Sequence, residues 1–203
     1  MSLADRINRA TRRIPAWPIY IISATWIGWL FWQALTGALG VEPINALERA
    51  YGEVALKLLV AGLCVTPLRR YAGINLLRYR RAIGLSAFMF VAAHLSVWSL
   101  LDVQALSAMW ADIVKRPYVT VGMLAFLMLL PLAVTSNNAS IRRLGANWRR
   151  LHWLTYPAAV LGGLHFLWLV KGFQIEPIIY LVLIGGLLAL RFRFAAARRR
   201  SAA

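Results

Sequence analysis

A single cysteine, Cys64, stands in a chain of 203 residues, and only seven residues are acidic. The lone thiol excludes an intrachain disulfide, a four-cysteine zinc site and any Cys-x-x-Cys-His attachment motif. No Gly-x-Gly-x-x-Gly follows a strand-like run, so the fingerprint of a dinucleotide fold is missing. There is no internal repeat, no low-complexity tract and no matched pair of broken apolar helices of the kind that marks many transporters. The seven acids are Asp5, Glu42, Glu48, Glu53, Asp102, Asp112 and Glu176. All fall outside the apolar runs read below, which removes the intramembrane carboxylate expected of many proton or cation pumps.

What is abundant is apolar and basic. Hydrophobic residues make up 61% of the chain and the mean hydropathy is +0.63, well above a soluble domain, whose apolar share is about 45–50%. A bilayer core takes about 20 helical residues to cross. Six apolar runs are predicted to do so, at 17–35, 54–66, 83–101, 118–134, 151–170 and 177–190, joined by loops at 36–53, 102–117 and 135–150. The expected fold is an all-α integral membrane protein, a six-helix transmembrane bundle in one domain over residues 1–203, with no room for a separate soluble unit. The first run is longer than a usual leader core and five more follow it, so it is read as a retained helix.

The net charge of +16 raises the question of nucleic acid. Placement answers it. Eighteen of the 23 basic residues lie in four clusters, at 6–13, 69–81, 142–150 and 191–200, which alternate with the apolar runs. If every second connection is cytoplasmic, that side carries these 18 against Asp5 alone, as the positive-inside rule requires. Both termini are therefore expected in the cytoplasm, with the arginines facing anionic lipid headgroups and not nucleic acid. Trp17, Tyr20, Tyr118, Trp153, Trp168 and Tyr180 sit near the ends of the runs, where amphipathic rings prefer the interface. Cys64 is read as inert.

The chemistry rests on three histidines, His94, His152 and His165. One such residue in an apolar helix is commonly a neutral packing group. Two of them match in depth: His94 lies roughly 16 Å into the third run and His165 roughly 21 Å into the fifth, which crosses in the same direction. Imidazoles from two neighbouring helices can bind haem iron from both faces. His152 precedes His165 by about 19 Å of rise, enough for a second haem near the cytoplasmic surface. Thirteen residues rotate a straight helix by about 220°, however, so the two rings share a face only if Pro157 rephases the turns between them. The matching level of the third run offers Arg80 and Arg81, so an inner haem would need another axial ligand, or a flavin would take that place, or His152 is a solvated interfacial residue. Gly84, Ala87 and Gly162 are small enough to admit a macrocycle, or simply to let helices pack. Lys115, Arg116 and Lys171 at the outer surface, and Arg149 and Arg150 at the inner, are candidate partners for haem propionates, unless they serve only to set topology.

The sequence resembles the MsrQ family, the haem-binding membrane subunits of the periplasmic methionine sulfoxide reductase system, within the ferric-reductase-like transmembrane group. The resemblance covers nearly the whole chain. It is carried by Arg80-Arg81-Ala82-Ile83-Gly84-Leu85 ahead of His94, by Lys115-Arg116-Pro117-Tyr118-Val119-Thr120-Val121-Gly122, and by Leu132-Ala133-Val134-Thr135-Ser136. It continues through Arg142-Arg143-Leu144-Gly145, Trp148, Leu151-His152-Trp153-Leu154-Thr155-Tyr156 and Leu164-His165 to Trp168 and Lys171. It implies a bacterial inner-membrane haem b protein with one or two haems, possible FMN, and His94, His152 and His165 as ligand candidates. It also implies electrons taken from a cytoplasmic flavin reductase or the quinone pool. They would pass to a periplasmic molybdopterin enzyme that repairs oxidised methionine in proteins.

In that role the chain is an electron-transfer subunit, since no nucleophile and base lie at workable spacing in an aqueous loop. Two other readings share parts of the pattern: a stand-alone ferric or quinone reductase, and a small transporter that moves protons or metal through the histidines. A cofactor-free structural subunit is a third. Contacts to an external partner are expected from the acidic outer loops, around Glu42, Glu48, Glu53, Asp102, Asp112 and Glu176.

Overall fold

The computed structural model describes residues 2–170 and 172–200, with side chains described as far as Arg191. Every regular element among the described residues is helical. They are α1 (Leu3–Arg13), α2 (Trp17–Leu35), α3 (Pro43–Tyr71), α4 (Arg80–Val97), α5 (Leu106–Lys115), α6 (Pro117–Val134), α7 (Asn138–Leu144), α8 (Ala146–Leu151), α9 (Thr155–Leu169) and α10 (Ile175–Arg200). Short helical turns join some of them: 3₁₀ at Leu77–Tyr79 and His152–Leu154, and π at Trp98–Val103.

Three stretches are long and apolar enough to cross a membrane: Pro43–Tyr71, Leu77–Val103 and Pro117–Val134. A fourth is added if α1 and α2, bent by 81° at their junction, count as one. The outward faces are apolar, as lipid requires: on α2 alone Trp17, Ile21, Ile22, Trp26, Trp29 and Trp32 are exposed, while only Ser23 and Leu30 are buried.

Several boundaries differ from the sequence expectation, each for a physical reason. The loop expected at 36–53 is mostly helix, because Pro43 starts α3 at a position that needs no backbone donor. Leu47 and Tyr51 then bury one face of the extra turns. Glu53, which suggested a loop, pairs with Lys57 one turn on. The same helix runs through Pro67, where the second run was expected to stop, and ends at Tyr71. The loop at 102–117 contains α5, and that at 135–150 contains α7 and α8. The sixth helix continues past 190 to Arg200.

The fifth run is not one helix. Pro157 has no N–H, and its ring crowds the carbonyl four residues back. The chain takes a 3₁₀ turn over His152–Leu154 before α9 begins. Pro157 thus does interrupt the turns between His152 and His165.

Two helix pairs form the heart of the bundle, α3 against α4 and α6 against α9. The helix α10 closes against α9 and α3, while α2 covers α4 and α3. Leu59 and Ala87 pack with Leu129, Leu132 and Ala158, joining the two pairs. Where α9 meets α10, a Cβ on Gly163 would stand 2.8 Å from Leu181 Cδ2, so a larger residue there would push that side chain aside.

The short amphipathic α1 is pinned to the segment that follows α3. Asn8 donates to the Gly73 carbonyl and accepts from the Asn75 amide, and the Arg78 and Tyr79 side chains donate to carbonyls at the end of α1. Its first turn carries a capping box in which Ser2 and Asp5 satisfy each other's backbone amides.

Candidate functional site

Two of the three histidines meet. The rings of His94, on α4, and His165, on α9, have centres 6.0 Å apart with planes at 80°. Each ring leans on the neighbouring helix of its own pair. His94 Nδ1 lies 2.8 Å from the carbonyl oxygen of Glu48 on α3, and His165 Nδ1 lies 2.7 Å from that of Tyr118 on α6. A carbonyl only accepts, so both Nδ1 atoms carry the proton and both Nε2 atoms keep a free lone pair.

One local device produces both contacts. Four residues beyond Glu48 comes Gly52, and four beyond Tyr118 comes Gly122. In a helix the carbonyl of residue i−4 already accepts from the amide of residue i. A side chain at i would shield its second lone pair. With glycine there, the imidazole reaches it. A Cβ on Gly52 would lie 3.2 Å from His94 Nδ1, and one on Gly122 would lie 2.8 Å from His165 Nδ1.

The ring-centre separation is compatible with a six-coordinate iron. A metal–imidazole bond is about 2 Å, so two nitrogens on opposite sides of one ion stand about 4 Å apart and their ring centres about 6 Å apart. The observed separation matches. The Nδ1 of each histidine is held by a backbone acceptor, an arrangement that commonly supports a metal-bound histidine.

Near the pair, the Glu48 carboxylate stands 3.9 Å from His94 Nε2. Tyr118 lies beside His165, its ring centre 6.2 Å away. Arg116 donates to the Tyr118 hydroxyl and pairs with Asp112. Lys115 is exposed at the end of α5. Lys171 lies outside the described residues.

His152 is elsewhere and without a histidine partner, since the chain has only three. Its Nδ1–H donates to the Trp148 carbonyl at 3.0 Å and its ring stacks on the Trp148 indole, 3.8 Å between centres. Its Nε2 is 3.5 Å from Ser136 Oγ, the limit of a hydrogen bond, and that hydroxyl already donates to the Leu132 carbonyl. Trp148 in turn donates to the Thr135 carbonyl, tying α8 to the end of α6.

Of the basic candidates, Arg81 donates to Asn138, while Arg149 and Arg150 are exposed on α8. Arg80 lies close enough to Arg191 and Tyr156 to feel their charge. The small residues read as either pocket or packing positions differ in their surroundings. Gly84 has nothing near a Cβ position, Gly162 meets Leu56, and Ala87 is core. Gly52 and Gly122 make room for the two imidazoles from the neighbouring helices, a role that spacing along the histidine helices could not reveal.

Comparison with known proteins gives the chain a family. A family model described as ferric reductase like transmembrane component matches residues 50–163. That stretch holds Gly52, His94, Gly122 and His152, and stops two residues before His165. Proteins from Brucella ovis, Brucella canis and Brucella suis, each named protein-methionine-sulfoxide reductase heme-binding subunit MsrQ, are 44% identical over 176 residues. The match covers 86% of this chain and 80% of theirs. No solved structure matches.

Proposed function

Because this chain belongs to the MsrQ family of the ferric-reductase-like transmembrane proteins, we propose that it is a haem b electron-transfer subunit of a methionine sulfoxide reductase system. One haem is held between His94 and His165. The observation that carries this reading is their 6.0 Å separation with both Nδ1 protons committed to backbone carbonyls.

The bound group would supply one-electron cycling of iron. The chain does the rest. The Glu48 and Tyr118 carbonyls take the Nδ1 protons and so leave Nε2 of each histidine unprotonated, as iron binding would require. The apolar helices exclude water, and His152, stacked on Trp148, lies nearer the opposite end on the route an electron would take.

In this reading six spans cross the bacterial inner membrane, with both termini in the cytoplasm. Support comes from the basic residues: α1, the segment after α3, the start of α4 and the turn at Asn138 are linked by hydrogen bonds at one end of the bundle. Glu48, Asp102 and Asp112 gather with the histidine pair at the other end. Electrons enter from a reduced flavin, with FMN as a possible bound carrier, or from the quinone pool. They leave to a periplasmic molybdopterin reductase that repairs oxidised proteins.

The test is a reduced-minus-oxidised visible spectrum with the haem-to-protein ratio of the purified chain. H94A and H165A should each abolish the b-type signal, and H152A should keep one haem per chain. A wild type made with ample haem that carries none would overturn the reading.

A further inference from the structure

The long α3 carries an acid and a base to the depth of the hydrocarbon, and two fixed levels show how deep they lie. At the histidine end the Glu48 carbonyl meets His94 and the Tyr118 carbonyl meets His165. The two rings are 6.0 Å apart, so Glu48 shares a level with the start of α6. At the basic end Thr66 accepts from Arg191, which also donates to the Tyr156 hydroxyl and so joins α3, α9 and α10. Lys57 is nine residues from Glu48 and nine from Thr66, about 13 Å from either level. The 18 residues of α6, which begin at the first level, span about 27 Å, close to the ~30 Å of a bilayer core. Lys57 therefore stands near mid-depth. Glu53, paired with it one turn nearer the histidines, lies at hydrocarbon depth too and not in an outer loop.

Neither side chain is turned into the bundle. Lys57 is 54% exposed and Glu53 39%, on a stretch long and apolar enough to cross a membrane. Ionisable groups at such depth are costly and almost always face the bundle interior or a water-filled cavity. A lysine near a helix end escapes by reaching the interface, but this one is about two and a half turns from either level and its ammonium is held by Glu53. Arg49, exposed one turn beyond Glu53, extends the row, which reads positive, negative, positive at four-residue spacing. The ammonium has three donors and gives one to Glu53. The pair is thus an exposed polar patch at a depth where lipid offers it nothing.

We propose that this face of α3 is the contact surface for a second copy of the chain, in a twofold dimer within the membrane. A row of alternating charge complements itself. About a twofold axis along the bilayer normal, each Lys57 ammonium, already drawn up to the level of Glu53, lies between its own Glu53 and that of the second copy. Two carboxylates and two ammonium groups then close a neutral ring that lipid no longer touches. An isologous interface needs one patch to match itself, and the opposite signs on adjacent turns supply that match. The surface is independent of the haem reading, since α3 turns Gly52 and not Glu53 toward His94.

The experiment is Förster transfer between terminally labelled donor and acceptor copies of the full chain, reconstituted in phosphatidylcholine vesicles over a range of protein-to-lipid ratios. Wild type should give transfer above the random-proximity level, and unlabelled wild type should compete it away. E53K and K57E should each need a density about tenfold higher or more for half-maximal transfer, the loss expected for a hydrogen bond between charged groups. E53K donor mixed with K57E acceptor should recover the wild-type value, which also shows that both variants fold. E53L/K57L, whose surface suits lipid, should be weakened as far as the single reversals while keeping a cooperative unfolding transition. Transfer at the random level in wild type, the result if a different membrane protein covers this face, overturns the proposal. So does E53L/K57L transfer equal to wild type, or a mixed pair that fails to recover while each variant unfolds cooperatively.

Discussion

The Nδ1 of His165 lies 2.7 Å from the carbonyl oxygen of Tyr118, and the only thing that lets it come so close is the missing side chain of Gly122. G122A would put a methyl group 2.8 Å from that nitrogen, so the ring must leave its carbonyl. Overpacking of this kind costs about 1–3 kcal/mol. G52A, with 3.2 Å of room at His94, should be milder. The expected outcome is a haem-to-protein ratio that falls in the order wild type, G52A, G122A, read from the reduced-minus-oxidised spectrum of each purified variant.

Trp148 carries two loads, the stack under His152 and a hydrogen bond to the Thr135 carbonyl. W148F keeps an aromatic surface and removes only the donor. Losing that bond should cost about 1 kcal/mol and lower the thermal midpoint of the detergent-solubilised chain by a few degrees. The spectrum of the His94–His165 site should not change. A spectral change with an unaltered midpoint would contradict this assignment.

Asn8 is the clasp between α1 and the segment after α3, through one bond given and one received. N8A removes both and should loosen α1 without disturbing the bundle. Amide exchange over residues 3–13 should accelerate while that of α3 and α4 stays slow. Equal protection of α1 in N8A and wild type would mean that Arg78 and Tyr79 suffice to hold it.

Asp5 offers a prediction in pH. Hydrogen bonds from the Ser2 side chain and then the Ser2 backbone hold its carboxyl below the ordinary value of 3.8. A lowered folded pKa means the capping stabilisation is complete above 3.8 and fades as the pH falls through the lower folded value. The carboxyl resonance of Asp5, followed by carbon NMR, should titrate below 3.8 in wild type and return toward it in S2A.

Much of this was legible in the sequence, and the limits are instructive. His94 and His165 could be matched in depth because helical rise converts residue number into distance. Pro157 could be named as the break before His165 because proline carries its backbone constraint with it. The start of α3 could not be found, since Glu48 and Glu53 read as loop residues until Glu48 is seen beside His94 and Glu53 beside Lys57. The glycines that face His94 and His165 escaped for a related reason. They lie on α3 and α6, and nothing in the spacing of α4 or α9 says which residue of a neighbouring helix will face a given imidazole. Arg191 was read as one of many topology-setting charges, and its bonds to Thr66 and Tyr156 depend on how three helices converge.

The acceptors that orient His94 and His165 belong to the main chain. No substitution of Glu48 or Tyr118 can delete a peptide carbonyl, so the acceptor of each Nδ1 proton survives a change of either side chain. Sequence drift reaches that bond most directly through the histidines and through Gly52 and Gly122. The mutational target is four positions, and at two of them the vulnerable change is the gain of a single methyl group.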